Sequence, residues 1–423
     1  MNVVMSAFGT FGDIVPFVAV GRELKHRSHG VTLVANATFE RLARDESFDF
    51  VAASTADDYK QFVGDANLWE PSRTTLEQAR VRHYYPHLTG HFKGVVGSRN
   101  GGHTVVVSGE AGGIVAAEKL GVPLVHMACA PATSAFTRSK YDPAHPERLL
   151  PFWARWFATT GPRLSLLYRL NDLRHGRRTL GRQPVSLSEE HPVARLRSEA
   201  GLPRVAQYVP NVRLALCMWP DWFAAPQRDW PEEALVAGFA FYPAPKATAQ
   251  RGSTPSDSDA PIVVTTGTAA GSQFAFYSMV VEALTPVRRA VVLVSPHRDH
   301  IPEKLPPHIT WVSHAPFGDL FRTASLVVHH GGIGTAAYGL LNGVPQIVMP
   351  MRWDQFDNGN RLQRLGIARM LSPKNTGAAA FRNAVTSILS SPRVAARCRH
   401  WQSRVDVECG VRKAADAIEA RCS

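Results

Sequence analysis

Short apolar runs and longer stretches of helical period alternate along most of the chain. In the first half Val3–Phe8, Val31–Asn36, Phe50–Ala53, Thr104–Ser108 and Pro123–Met127 read as strands. Helices are predicted between them, near Ile14–Arg27, Thr38–Asp45, Thr75–Gly94 and Gly112–Leu120. Apolar strands separated by helices make βαβ units, and βαβ units make a parallel sheet covered on both faces. Val212–Trp219 fits a last strand of that sheet. The stretch from Asp142 to Pro210 is helical or irregular and rich in Arg and Pro, which suits an insertion near a cleft.

From Pro243 to Pro261 the apolar period disappears into Pro, Ala, Gly, Ser, Thr and Asp, the composition of a linker. A second alternating series follows, with strands at Ile262–Thr265, Ala290–Ser295, Thr310–Ser313, Leu326–His330, Gln346–Met349 and Ala368–Leu371. Helical period returns from Arg393 to Ala420. The pattern therefore predicts two parallel-sheet α/β domains, residues 1–242 and 262–400, joined by the linker 243–261.

A length of 423 residues with 45% hydrophobic and 19% charged positions agrees with two domains that each bury a core. No run reaches the ~18 apolar residues of a membrane span. Met1-Asn2 lacks a basic leader, so the amino terminus reads as a strand rather than a signal peptide. Five scattered cysteines without metal-type spacing read as reduced thiols of a cytoplasmic protein. The net charge of +12 is uneven: seven arginines and one acid, Asp172, lie between Arg155 and Arg182. Trp153, Trp156, Phe157, Leu166, Leu167 and Tyr168 are interleaved with them. A solvated helix face, a surface meeting anionic lipid and a nucleic-acid patch all remain open there, although no nucleic-acid recognition motif accompanies the charge.

Chemistry concentrates at His329-His330-Gly331-Gly332-Ile333-Gly334-Thr335, between the apolar run Leu326–Val328 and the helix-compatible run Ala336 to Asn342. A strand, a glycine turn and a helix start in that order form an anion site, because free N–H groups and the helix dipole point outward and glycine admits close approach. Adjacent strand residues point to opposite faces. His329 and His330 are thus a poor metal pair, and no carboxylate lies near in sequence to complete one. Gly343 and Pro345 end the helix. Asp354-Gln355 follows at the carboxyl end of the next strand, the edge where such sheets bind ligands. A phosphate site followed by groups suited to sugar hydroxyls points to a nucleotide sugar.

These segments, with Gly343-Val344-Pro345-Gln346 and Asp354-Gln355-Phe356-Asp357-Asn358, resemble the donor-binding signature of glycosyltransferase family 1, inverting enzymes of GT-B fold. Gly9-Thr10-Phe11-Gly12-Asp13-Ile14-Val15-Pro16-Phe17 looks like the first loop of its bacterial and sterol-type members. Trp219 to Pro231, with Gly238-Phe239, is similar to the pre-linker segment of the rhamnosyltransferases of rhamnolipid synthesis. The resemblance implies two Rossmann-like domains facing across a cleft, with residues 401–423 returning to the first domain and Trp401 as their anchor. It implies diphosphate contacts from His330, Gly332, Gly334, Thr335 and Thr268, and sugar contacts from Asp354, Gln355 and Asn358. Nucleobase contacts fall to His314 and Phe317. Phe317 replaces a glutamine that plant members aim at uracil, which leaves the identity of the base open, and Tyr338 replaces their ribose-binding glutamate, so the ribose contact does not carry over.

Asp13 stands where many members hold a histidine base, and a carboxylate can take the acceptor's proton. By position alone it could equally cap the helix carrying Pro16. Asp354 could likewise cap the helix from Gln355 to Leu365. The expectation is a metal-independent, inverting transfer of a hexose or deoxyhexose from a UDP- or dTDP-sugar to a hydroxyl of an apolar acceptor. That acceptor could be a lipid, polyketide, sterol or flavonoid-like molecule. No cofactor and no nucleic acid are expected, the location is cytoplasmic, and the Arg/Trp-rich segment offers peripheral membrane contact. Phe152, Trp153, Trp156, Tyr84 and Tyr85 could line an apolar pocket or simply be core. A GT-B-fold nucleotide-sugar epimerase and a non-catalytic binding partner are the alternatives.

Overall fold

The computed structural model describes residues 1–65, 80–132, 185–186, 191–205, 207–208, 210–227, 230–242, 260–267, 273–351 and 354–422. The linker expected at 243–261 lies almost wholly outside them, as do the arginine cluster with Phe152, Trp153 and Trp156, and Thr268.

The first domain opens with β1 (Asn2–Ser6), α1 (Phe11–His26), β2 (Gly30–Asn36), α2 (Glu40–Asp45), β3 (Asp49–Ser54) and α3 (Ala56–Gly64). It continues through α4 (Leu88–Gly97), β4 (Thr104–Ser108), α5 (Ala111–Leu120), β5 (Leu124–Ala128), β6 (Val185–Ser186), α6 (Pro192–Glu199), β7 (Gln207–Tyr208), β8 (Leu214–Cys217) and β9 (Ala234–Val236). Seven of these strands form one sheet in the order β3-β2-β1-β4-β5-β8-β9. Every pair in it is parallel. β6 and β7 make a separate antiparallel pair. The expected helix 75–94 is not continuous where it is described. A π turn at Arg80–Tyr84 and a 3-10 turn at Tyr85–His87 precede α4, because Pro86 has no N–H to continue a helix.

The second domain contains β10 (Ile262–Thr265), α7 (Phe274–Leu284), β11 (Val291–Val294), β12 (Ile309–Val312), α8 (Phe317–Leu320), β13 (Leu326–His329), α9 (Ile333–Leu341), β14 (Gln346–Val348), α10 (Gln355–Leu365), β15 (Ala368–Met370) and α11 (Ala378–Leu389). Its six strands run β12-β11-β10-β13-β14-β15, all parallel. Strand order reverses between β1 and β4 in one sheet and between β10 and β13 in the other. Crevices open at such reversals, beyond the carboxyl ends of the strands. The Gly9 loop leaves β1 there, and the Thr265–Gly267 and His329–Gly332 loops leave β10 and β13.

The helical period after Arg393 splits into α12 (Pro392–Gln402) and α13 (Cys409–Cys422). Asp406 marks the break, its Oδ1 accepting from Glu408 N (3.0 Å) and Cys409 N (2.9 Å). α13 packs on the first domain, with Ala414, Ala415 and Ile418 entering the core beneath α1. Arg27 Nη1 donates to Asp416 Oδ1 (2.6 Å) and Glu419 Oε2 (2.7 Å). Trp401 stacks on Trp222 (centroids 5.1 Å, 25°) and donates from Nε1 to Leu365 O (3.0 Å). The two domains also share a core: Ala128, Cys217, Trp219, Phe223 and Phe241 pack with Ala336, Ala337 and Leu340 of α9. β9 was not expected from the sequence. It has three half-buried residues, too few for any period to show.

Candidate active site

The loop after β13 is shaped by one structural histidine. His329 is fully buried, and its Nδ1 accepts from Gly331 N (3.1 Å). Nε2 therefore carries the proton and donates to Gln346 Oε1 (2.8 Å). Burial pushes the ring down to about 3, and it stays neutral. Gly331 takes φ +98°, and a Cβ there would lie 2.8 Å from Gln355 O, so only glycine lets the turn touch the start of α10.

His330 faces the other way. Its ring lies between Gly267 and Gly332, where added Cβ atoms would come within 2.6 Å of ring atoms. Its Nδ1 is buried without a hydrogen-bond partner. Burial lowers its pKa to about 4, so at neutral pH it offers one N–H and one lone pair. Gly332 is the N-cap of α9 and no side chain caps that helix, which leaves first-turn amides for an anion. Gly334 has open space where a Cβ would be, and Thr335 is buried one position further on. The structure thus brings His330, Gly332, Gly334 and Thr335 to one helix start.

Asp354 occupies the N-cap position of α10 but makes no side-chain cap bond. Its Oδ2 instead accepts from Asn358 Nδ2 (2.7 Å), and the same amide donates to Gly331 O (2.9 Å). Asn358 is wholly buried and ties the glycine turn to the acid, with its Oδ1 left unpartnered. Gln355 Oε1 accepts from Met351 N (2.8 Å), which fixes the turn into the helix. Asp354 retains some exposure, yet packing around it raises its pKa to about 7, first by desolvation and then by the charge of Asp13. The two domains' carboxyls thus act on one another across the crevice.

Asp13 is not the N-cap of α1. The helix begins at Phe11, three residues earlier than expected, and Thr10 is the cap. Asp13 is the partner acid of the capping box: Oδ2 accepts from Thr10 N (2.8 Å) and Thr10 Oγ1 (3.1 Å). Gly9, at φ +136°, has no room for a side chain, since a Cβ would sit 2.3 Å from Asp13 Oδ2. Desolvation raises the Asp13 pKa against these two hydrogen bonds, which lower it. Cys129 lies in the same pocket of charge. Its pKa is raised chiefly by burial and then by Asp13 and Asp354, so it stays a thiol.

His314 is exposed in the turn before α8, and Phe317 is half-buried, stacked on Phe321 (4.8 Å, 14°). Tyr338 spends its hydroxyl on Tyr242 O (3.2 Å) and its ring edge on Phe241. Two supports were missed from the sequence. Behind the Gly9 loop, Ser6 Oγ donates to Glu110 Oε1 (2.7 Å) and takes a hydrogen bond from His91 Nδ1 (2.9 Å), while Glu110 accepts from Gly112 N (2.6 Å). Nothing local marks that set, for its members are up to 104 residues apart. The other support, the buried pair Asp357–Arg361 (2.9 Å), had a signal in its i,i+4 spacing. Arg361 Nη1 also donates to Phe223 O (3.2 Å) across the domain junction. Among the described residues no three His, Cys, Asp or Glu gather as metal ligands, and no helix is long and apolar enough to cross a membrane.

Comparison with known proteins agrees with this architecture. Residues 3–135 match the glycosyltransferase family 28 N-terminal domain, and residues 278–405 match the C-terminal domain of erythromycin biosynthesis protein CIII-like proteins. The chain is 27% identical to O-mycaminosyltylonolide 6-deoxyallosyltransferase of Streptomyces fradiae, over 99% of this chain and 97% of that one. It is 32% identical to NDP-glycosyltransferase YjiC of Bacillus licheniformis, but that match spans only 39% of this chain and 42% of the relative's length. The crystal structure of the glycotransferase of kitacinnamycin superposes with a TM-score of 0.67 at 21% identity, covering 100% of this chain and 99% of that one. The fold is GT-B, and the chain belongs to the glycosyltransferases of family 1. Within that class its relatives are of the natural-product type.

Proposed function

We propose that the protein transfers a hexose or deoxyhexose from a UDP- or dTDP-sugar to a hydroxyl of an apolar small molecule, with inversion at the anomeric carbon. The observation that carries this reading is His330, a neutral ring with a buried, unpartnered nitrogen held between two glycines at an uncapped helix start. A nucleotide diphosphate supplies the acceptors such a site needs. In this reading His330, Thr335 and the amides of Gly332 and Gly334 hold the diphosphate, and Thr268 is assigned a further contact to it by the family resemblance alone. Asp354 and Gln355 take sugar hydroxyls, Asn358 holds Asp354 in place, and His314 and Phe317 border the base.

Asp13 removes the acceptor's proton as its oxygen attacks. The raised pKa makes Asp13 a better base than an ordinary carboxylate. Negative charge then leaves with the diphosphate, where preorganised donors stabilise it most. The loop and helix dipole supply the positive potential, and we assign no step to a metal ion. The full-length Streptomyces relative, named for deoxyallosyl transfer to a macrolide, supports a deoxyhexose donor. The rhamnolipid-like segment supports rhamnose as a second donor candidate. Isothermal titration of UDP- and dTDP-sugars into wild type and His330→Ala tests the donor site. Tenfold or greater weakening with an unchanged Tm is expected, and equal affinity would remove His330 from the site.

A further inference from the structure

Behind the His329–Gly332 loop lies a wholly buried polar side chain, Gln346, the first residue of β14. β13 and β14 run parallel, with Val327 beside Gln346 and His329 beside Val348. Gln346 and His329 therefore stand on the same face of the sheet, on adjacent strands and two positions out of step. α9 covers that face, its Ala336, Ala337 and Leu340 packing with Val348. Gly339 of α9 leaves the space that Gln346 fills, since a Cβ there would lie 2.5 Å from Gln346 Nε2. That nitrogen donates to Ala336 O (3.4 Å), which leaves Oε1 as the end that meets His329 Nε2 (2.8 Å).

The orientation of this amide decides where the imidazole proton sits. A neutral imidazole carries one N–H and one lone pair, and an amide oxygen only accepts. The proton is thus on Nε2, and the Nδ1 lone pair faces Gly331 N (3.1 Å). That contact runs from one residue to the second after it, as in an Asx turn. In the other tautomer Nδ1–H would confront the Gly331 N–H, donor against donor. Burial holds the ring's pKa down at about 3, so the choice is between two neutral forms. Gly331 is also held at its carbonyl, which accepts from Asn358 Nδ2 (2.9 Å). The C=O and N–H of one trans peptide point opposite ways, so this bond turns the Gly332 amide away from Asn358. The His329 bond fixes the peptide before it and keeps Gly331 at φ +98°. Directly after these two peptides come the first-turn amides of α9, which have no acceptor within the helix.

We propose that Gln346 is a positioning residue for the nucleotide diphosphate: by accepting from Nε2 it selects the His329 tautomer that holds Gly331, and so aims the amides that follow at the anion. It acts through His329 and not by contact with the donor. The proposal rests on the transfer reading above, in which those amides hold the diphosphate. An apolar side chain at position 346 leaves Nε2–H buried without an acceptor, an arrangement that costs more than the hydrogen bond itself contributed. Moving the proton to Nδ1 relieves that and releases Gly331.

The test uses the full chain, with UDP and dTDP as calorimetric probes and histidine ¹⁵N NMR to read the tautomer. Gln346→Met keeps the length of the side chain and removes its acceptor oxygen. His329→Asn keeps an acceptor for Gly331 N in the Asx-turn position and has no tautomer to choose; it also identifies the His329 signals by their loss. Wild type should show His329 protonated at Nε2 alone. Gln346→Met should move the proton toward Nδ1 and weaken the nucleotide by about tenfold. In the His329→Asn background the same substitution should change affinity by less than about twofold, because the coupling between the two side chains is gone. A purely structural Gln346 would give equal losses in both backgrounds, and that result overturns the proposal. So does Nδ1 protonation in wild type, which needs no variant, or a tautomer or affinity unmoved in Gln346→Met; each leaves the diphosphate site in place. If wild type binds neither nucleotide while His329 shows the expected tautomer, the donor reading itself fails, and the role of Gln346 falls with it.

Discussion

Replacing Asp13 by Asn separates the structural duty of this side chain from its chemical one. The capping box uses a single acceptor, Oδ2, taking hydrogen bonds from Thr10 N at 2.8 Å and Thr10 Oγ1 at 3.1 Å. An amide oxygen can accept both, and α1 keeps Thr10 as its cap, so the stability change should stay within about 0.5 kcal/mol. Its sign depends on pH. The Asp13 pKa is raised in the folded state, so ionising it costs stability as pH rises above the unfolded carboxylate range of ~3.9. The Asn variant should therefore gain on wild type at higher pH. Chemistry should respond differently. The amide cannot take a proton, and kcat should fall by about 10²–10⁴-fold, or about 2.7–5.4 kcal/mol of barrier. Donor titration by calorimetry, initial rates and thermal melts on one preparation decide it. Turnover near wild type would refute the base, and lost donor binding would show that the Gly9 loop shapes the donor crevice instead.

Asp13→Asn should also lower the pKa of Asp354 from about 7, because it removes a neighbouring charge that raises it; donor affinity followed from pH 5 to 9 should shift its midpoint to lower pH, and an unmoved midpoint would show that the two carboxyls are independent. His330→Ala should slow turnover by an amount equivalent to about 2.7–4 kcal/mol, with an unchanged melting temperature; a collapsed melt would make the ring structural. Activity should survive EDTA, and an absolute requirement for added Mg²⁺ or Mn²⁺ would contradict a site whose positive potential comes from the loop and helix. Arg361→Ala removes the buried guanidinium that joins Asp357 to Phe223 O across the domain junction, so urea unfolding should show a loss of about 1–3 kcal/mol; an unchanged midpoint would show that this junction contact adds no stability.

The fold was legible because each sheet is buried on both faces, and apolar runs such as Ile262–Thr265 and Thr104–Ser108 mark such strands almost to the residue. The second-domain loop was legible too, since glycines at fixed offsets after a strand leave few conformations. Three things were not. β9 is too short for its period to register. The start of α1 was misplaced because Thr10 caps through a reciprocal box with Asp13, while Gly12 and Pro16 weaken the helical pattern. The coupling of Asp13 to Asp354 arises only when elements distant in sequence meet at the crevice.

One experiment bears most directly on the account: the protein incubated with UDP- and dTDP-hexoses and deoxyhexoses and a mixture of apolar hydroxyl compounds, read by mass spectrometry and by NMR of the product's anomeric centre. The expected result is an acceptor carrying one sugar, one nucleoside diphosphate released per product, and an anomeric configuration opposite to that of the donor. Nucleotide sugar consumed without any acceptor adduct, or a product that keeps the donor's configuration, would contradict it.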